Sequence, residues 1–265
     1  MQWVRAAGHR LEYIWIGPPP DQAPTLVFLH EGLGSVSLWR DFPSALADRT
    51  ACGALVYSRW GHGVSDRLEG PRSVAFMHDE ALVTLPEVLA ALNVRQPILV
   101  GHSDGGSIAL IYAGAAAGPL VALVLEAPHV FVEDLSVKSI AQIKDTYEGT
   151  DLGARMARHH GDNTDTMFRG WNEVWLLPSF RAWNIEEWLS RIRCPVLVIQ
   201  GEKDEYGTMK QVEALESQLG GSVETLRLPD CGHAPHVDQR EIVLDAMTQF
   251  ITTILHNPAT AALRP

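Results

Sequence analysis

Residues 99–106 read Leu-Val-Gly-His-Ser-Asp-Gly-Gly, and residues 107–113 continue Ser-Ile-Ala-Leu-Ile-Tyr-Ala. The stretch is a short apolar run that closes in Gly101-x-Ser103-x-Gly105 and opens into a helical pattern. Such a sequence puts a serine at the tip of a sharp turn from strand to helix, a nucleophile elbow. The turn needs strained backbone angles and close packing, so the residues two positions to either side must be small. The hydroxyl then projects from the end of the strand, beside a helix N-terminus whose dipole favours negative charge. Ser103 is therefore the candidate nucleophile.

Working outward from the elbow, strands and helices alternate. β-Rich runs at Leu11–Ile16, Thr25–Leu29, Ala54–Ser58, Ile98–Val100, Val121–Leu125, Val196–Gln200 and Val223–Leu228 predict strands. Several are apolar throughout, as parallel strands covered on both faces must be. Helical patterns lie near Leu38–Asp48, Val74–Leu92, Ser107–Ala116, Thr208–Leu219 and Arg240–Leu255, with Pro86 expected to kink the second. This alternation predicts an α/β fold with a doubly wound, mostly parallel sheet and helices on both faces. One segment, 129–189, breaks the rhythm: it is helical and charged, and it carries four of the eight tryptophans, Trp171, Trp175, Trp183 and Trp188. Phe168, Trp171 and Trp175 fall at i, i+3 and i+7 and so share one helix face. The expected organisation is a core domain of residues 1–128 and 190–265 with a helical cap, 129–189, over the carboxyl edge of the sheet. Trp171 and Trp175 are candidate pocket residues, because a small helical insert must bury its apolar face on something.

Composition narrows the functions available. A chain of 265 residues that is 46% hydrophobic and 20% charged fits a single globular enzyme. A net charge of −11 leaves no basic stripe to neutralise phosphates, so neither nucleic acid nor an anionic membrane is an expected partner. No apolar run approaches the roughly 18 residues of a membrane span, and the N-terminal residues show no signal-peptide pattern. The three cysteines, Cys52, Cys194 and Cys231, are odd in number and widely spaced, which suits thiols in a reducing, cytoplasmic compartment. The expected partner is a small ester-like molecule, and a homo-oligomer is left open.

A serine nucleophile needs a base, an acid that orients it and an oxyanion hole. In chain order the acid should precede the histidine. After Val196–Gln200 comes Gly201-Glu202-Lys203-Asp204-Glu205, and after Val223–Leu228 comes Pro229-Asp230-Cys231-Gly232-His233. Asp204 is preferred to Glu202 and Glu205 because it lies deepest in its turn before the next helix starts. His233 is preferred to His236 because Gly232 frees the loop before it; His236 is retained as a candidate pocket wall. The expected oxyanion donors are the N–H of Asp104, after the nucleophile, and that of Gly32, in the loop after Thr25–Leu29. Glu31, unusual where a small residue is expected, is a candidate polar contact near the leaving group. Asp104 itself suits a helix start, and His129 can face the pocket from the start of the cap. His159-His160 has no third ligand at metal spacing, so no metal or other cofactor is expected. The cap arginines Arg155, Arg158, Arg169 and Arg181 could clamp a substrate carboxylate, but most are read as the solvated face of the cap helices.

Together, His30-Glu31-Gly32-Leu33-Gly34, Ser58-Arg59-Trp60-Gly61-His62-Gly63-Val64-Ser65, Gly101-His102-Ser103-Asp104-Gly105-Gly106, Asp204 and Gly232-His233 resemble the α/β-hydrolase superfamily, in the same order over nearly the whole chain. The resemblance implies a mostly parallel eight-stranded sheet and a helical cap inserted before the acid-bearing strand. It extends to the esterase, prolyl iminopeptidase and ring-cleavage-product hydrolase branches. The oxyanion loop resembles the His-Gly-Gly-Pro-Gly of prolyl iminopeptidases, with Glu31 in place of one glycine. Ser103 argues against the branches that use an aspartate nucleophile, and Ala234 after His233 departs from the Gly-His-Trp of ring-cleavage hydrolases. The implied activity is hydrolysis of small carboxylic esters through an acyl-enzyme. Lactonase, thioesterase, C–C hydrolase and iminopeptidase chemistries are the alternatives on the same machinery, with a non-turnover ligand receptor behind them.

Overall fold

The computed structural model describes residues 1–256; residues 257–265 of the expected core lie outside that range. Among the described residues the strands are β1 (Gln2–Ala6), β2 (His9–Ile16), β3 (Thr25–Leu29), β4 (Gly53–Tyr57), β5 (Pro97–His102), β6 (Ala122–Glu126), β7 (Val196–Gly201) and β8 (Val223–Leu228). They form one eight-stranded sheet in the order β1-β2-β4-β3-β5-β6-β7-β8. β1 and β2 are antiparallel to their neighbours and the remaining pairs are parallel.

The central strands are buried along their whole length, and alternate residues feed two separate cores. Leu26, Phe28, Ala54, Val56, Ile98 and Val100 pack with α1 (Phe42–Thr50) and α11 (Arg240–His256) on one face. Val27, Leu29, Leu55, Leu99, Leu123 and Leu125 pack on the other with α2 (Phe76–Asp79), α3 (Leu85–Ala91), α4 (Asp104–Gly114) and α9 (Met209–Gln218). The short α10 (Pro235–Asp238) precedes the last helix.

Between β6 and β7 the chain leaves the sheet for α5 (Asp134–Gly149), α6 (Leu152–His160), α7 (Thr164–Leu176) and α8 (Glu186–Leu189). The two ends of this insert meet: Ile185 N–H donates to the Val130 carbonyl (2.8 Å), and Phe131 and Asn184 form an antiparallel bridge. Buried polar side chains fasten its middle to the sheet's loops. His160 Nε2 donates to the Leu33 carbonyl and its Nδ1 accepts the Gly63 N–H, both at 3.0 Å. Asn163 Nδ2 donates to the carbonyls of Gly63 (3.1 Å) and Ser65 (2.7 Å).

Three local differences from the sequence reading have physical causes. The first strand, Gln2–Ala6, carries mostly polar or exposed positions and no apolar run, yet it pairs with β2 through a tight turn at Ala7 and Gly8. Both turn residues have positive φ (49° and 81°), as a two-residue hairpin of matching twist requires. The helix expected at Leu38–Asp48 is split by Arg40, also at positive φ, into a 3-10 turn at Val36–Trp39 and α1. Around Pro86 the expected kink is a π-helical turn at Glu80–Thr84, just before the position whose missing N–H would have bonded Leu82.

Candidate active site

At the end of β5 the chain reverses into α4 through Ser103, whose backbone sits at φ 53° and ψ −118°. A non-glycine residue held there stores on the order of 1–3 kcal/mol of strain. The flanking glycines are dictated by packing. A Cβ on Gly101 would lie 2.5 Å from the Gly105 carbonyl, and one on Gly105 would run into the Leu29 carbonyl of β3. The Ser103 N–H donates to the Glu126 carbonyl of β6 (2.8 Å), so two neighbouring strands hold the turn.

β7 and β8 end on either side of the same edge, and their loops bring Asp204 and His233 to the serine. His233 Nε2 lies 2.9 Å from Ser103 Oγ, and its Nδ1 lies 2.9 Å from both Asp204 oxygens. Asp204 also accepts the Tyr206 N–H (2.7 Å), the Gly207 N–H (3.2 Å) and the Gln200 side-chain amide (2.7 Å). Burial alone would raise the Asp204 pKa, but the adjacent His233 and these donors outweigh it and hold the carboxyl at about 2. Burial alone would lower that of His233, yet the Asp204 charge and hydrogen bond carry it above its ordinary value. Of the neighbouring acids considered, Glu202 and Glu205 make no such contact; Asp204 alone of the three does.

The cavity in front of Ser103 holds about 110 Å³ and is lined by Glu31, Gly32, Asp104, His129, Trp171, Trp175 and Tyr206, among others. The sequence candidates Glu31, His129, Trp171 and Trp175 therefore come together at one wall or another of it. Trp171 lies directly on Gly32, where any side chain would collide with the indole. The backbone of that loop is fixed from behind: the Glu31 carbonyl accepts Arg59 Nη2 (2.8 Å) and the Gly32 carbonyl accepts His62 Nε2 (3.1 Å). Asp104 heads α4, so its N–H has no acceptor within the helix. Its carboxyl is buried, and burial raises it to about 6 despite the nearby Arg59 and Arg72; Oδ2 has no hydrogen-bond partner. His129 packs at a tilt against His233 and edge-on against Trp175, with ring centroids 5.7 and 5.3 Å away, and burial pushes it down to about 4.

His236 is the exception, and the expectation that it walls the pocket is corrected. Its Nδ1 and its backbone N–H both bond Glu126 Oε2, at 3.0 and 2.9 Å, and its ring packs on Trp39 and Phe42. It borders a different cavity, of about 130 Å³. The loop from His233 to Pro235 turns the two histidines to opposite sides, and the buried Glu126 carboxylate captures the second one. Trp183 and Trp188 likewise pack away from the cavity, against Trp175 and Phe180 and against Gly114.

Several contributors carried no sequence signal strong enough to find them. His102 donates through Nε2 to the His233 carbonyl (2.7 Å) and so steadies the loop bearing that ring. Gln200, Glu126 and Asn163 are single polar residues at strand ends or in a helical insert, and only their burial marks them. Arg59 and Arg72 stood in the glycine-rich loop region, but their position behind the cavity wall follows from the tertiary fold alone.

The model of the Alpha/beta hydrolase family matches residues 26–246 of the chain. Over 93 residues the chain is 33% identical to the sn-1-specific diacylglycerol lipase of Danio rerio, covering 35% of this chain and 27% of that protein. Over 111 residues it is 33% identical to the 2-succinyl-6-hydroxy-2,4-cyclohexadiene-1-carboxylate synthase of Enterobacter sp. (strain 638), covering 42% of this chain and 40% of that one. The matched stretches thus span well under half the length of these curated relatives. Among solved structures, a membrane phospholipase A described as a bacterial virulence factor superposes with a TM-score of 0.77 at 19% identity, over 97% of this chain and 86% of that one. That likeness is one of fold, and it agrees with the strand order and helix layers above. With a family match over most of its length, the chain belongs to the alpha/beta hydrolase family and is a hydrolase of that fold.

Proposed function

We propose that the protein is a serine hydrolase of small carboxylic esters, with Ser103 as nucleophile, His233 as general base and acid, and Asp204 as the acid that orients it. The observation that carries this reading is the unbroken chain of 2.9 Å contacts from Ser103 Oγ through both nitrogens of His233 to Asp204. Asp204 holds Nδ1 protonated, which leaves the Nε2 lone pair facing the serine proton. Ser103 attacks the ester carbonyl, and the proton passes to Nε2 and on to the leaving alcohol as the acyl-enzyme forms. Water, deprotonated by the same ring, then releases the acid.

The N–H groups of Asp104 and Gly32 receive the negative charge that develops on the carbonyl oxygen. Their fixed orientation, from a helix start and from a loop pinned by Arg59 and His62, supports that role. Residues 129–189 act as the cap that closes the acyl site, on a core of 1–128 and 190–265. The cavity of about 110 Å³ is somewhat smaller than the roughly 150 Å³ of a cavity that holds benzene, so the acyl group is short. The relation to a diacylglycerol lipase supports ester chemistry. The free thiols of Cys52, Cys194 and Cys231 support a reducing, cytoplasmic setting.

A panel of nitrophenyl esters from acetate to decanoate, assayed with the wild type and Ser103→Ala, tests the proposal. Turnover of the short esters that disappears in Ser103→Ala while the melting curve stays in place is the expected result. Activity retained by Ser103→Ala would remove the serine from the mechanism.

A further inference from the structure

Around Ser103 the cavity wall carries two carboxyls, Glu31 and Asp104, and no lysine or arginine. Glu31 comes from the loop after β3 and keeps 29% of its side chain exposed; the nearest ion-pairing group is His102 Nδ1, 3.9 Å away. Burial holds His102 at about 3, so that ring is neutral and supplies no positive charge. Asp104 is 1% exposed, with Oδ2 unpartnered, and neither carboxylate is within ion-pair distance of a lysine or arginine among the described residues.

The two buried guanidiniums behind the wall do not fill this gap. Arg59 Nη2 donates to the Glu31 carbonyl and Arg72 Nη2 to the Trp60 carbonyl, and neither guanidinium lines the cavity. Their charge is balanced by Asp104 and by Glu80, which accepts the Tyr57 hydroxyl at 2.7 Å. Glu31 remains without a counter-ion, and the His233–Asp204 pair adds no net positive charge while the base is neutral. The rings of Trp171, Trp175 and Tyr206 line the same cavity. Carboxylates and aromatic side chains around one cavity suit the same kind of group, an organic cation.

We propose that the substrate carries an ammonium group on its short acyl part, held between the Glu31 and Asp104 carboxylates and the aromatic wall. This rests on the reading of the cavity as the acyl site of a serine hydrolase. An acyl group ending in a carboxylate is disfavoured by the same arrangement, since it would meet the Glu31 carboxylate with no lysine or arginine lining the cavity to receive it.

The test compares phenyl 3-aminopropanoate with phenyl butanoate, a pair that differs by NH₃⁺ in place of CH₃. At pH 7.5 the ratio of their kcat/KM values, divided by the ratio of their hydroxide-catalysed rates, is expected to exceed tenfold in the wild type. Glu31→Gln and Asp104→Asn are each expected to cut that ratio at least severalfold; should Asp104→Asn not fold, Glu31→Gln decides alone. A corrected ratio of one or below, or one that both variants leave unchanged, overturns the proposal. If the wild type turns over neither ester, the hydrolase reading fails separately, and calorimetry with n-propylammonium chloride and sodium propanoate decides the cation site. Saturable binding of the ammonium alone, lost in Glu31→Gln, upholds the site, whereas no ammonium binding overturns it.

Discussion

Asp204→Asn isolates what the acid contributes to His233. The substitution keeps size and shape, and the structure indicates how an amide would settle. Oδ1 accepts two backbone N–H groups, from Tyr206 and Gly207, so the asparagine oxygen must occupy that position and its NH₂ must take the place of Oδ2. There it meets the Gln200 amide nitrogen (2.7 Å), two donors face to face. Gln200 Oε1 is buried and unpartnered, so turning that amide over restores a hydrogen bond, and the fold survives. The NH₂ also takes the place of Oδ2, 2.9 Å from His233 Nδ1, and with the carboxylate charge gone the ring can present Nδ1 to it as an acceptor. The proton then moves to Nε2, and Ser103 loses its base.

The expected loss in kcat/KM is on the order of 10⁴-fold, about 5 kcal/mol of barrier, by analogy with the acid of other serine triads. Stability falls as well. A carboxyl whose pKa lies at about 2 when folded and 3.8 when free contributes roughly 2 kcal/mol at neutral pH. Because the folded pKa is the lower one, that contribution is present above about pH 4 and fades as the pH drops towards 2. The assay is kcat/KM on a short nitrophenyl ester together with urea unfolding of both proteins at pH 7 and pH 3. A variant within tenfold of wild-type activity, or a stability gap that does not narrow at pH 3, would refute the reasoning.

Other outcomes follow from the same geometry. Gly105→Ala sets a methyl into the Leu29 carbonyl, which a backbone cannot evade, so urea unfolding should show a loss of about 3 kcal/mol or more; a loss under about 1 kcal/mol refutes the packing account. Since the base must be neutral and the His233 pKa is raised by Asp204, kcat/KM should rise with pH about a midpoint above the ordinary 6.5 of histidine; a midpoint below that value in a pH profile contradicts the pairing. Trp175→Ala opens the cavity and should move the preferred acyl chain to greater length, at about 3–5 kcal/mol in stability, read from the ester panel and from thermal melts. Asn163→Ala leaves the Gly63 and Ser65 carbonyls without their donor and should cost about 1–3 kcal/mol, measurable by chemical denaturation.

Legibility in the sequence followed how local each determinant is. Ser103 could be read because its turn imposes small residues at fixed distances along the chain, and Gly101 and Gly105 do meet backbone at contact distance. Asp204 and His233 could be placed because each follows a β-rich run, Val196–Gln200 and Val223–Leu228, in the expected order along the chain. His236 could not be told from a pocket residue, because the loop that turns it onto Glu126 brings together positions 110 residues apart. The first strand was invisible for another reason: an edge strand with exposed side chains needs no apolar run, and only its pairing with β2 defines it. In the insert between β6 and β7, the i, i+3, i+7 spacing identified a buried helix face, but not that Trp171 would rest on Gly32.

By itself, the sequence of this protein determined the class of fold, the alternation of strand and helix, and the three residues that two 2.9 Å contacts join, Ser103 to His233 and His233 to Asp204. These follow from periodicity and turn geometry, which act over a few residues. Only the tertiary structure decided the cavity's size, the company of Glu31 and Asp104 within it, and the guanidiniums of Arg59 and Arg72 behind its wall. Those depend on how the insert between β6 and β7 lies across the sheet's edge, fastened by His160 and Asn163 to loops about a hundred residues earlier in the chain. Burial and neighbouring charge then set the protonation: the same carboxyl that would be an ordinary acid in water is raised by burial to about 6 in Asp104 and held at about 2 in Asp204 by His233 and its hydrogen-bond donors. Desolvation and neighbouring charge depend on the packed surroundings, and a linear sequence does not carry them.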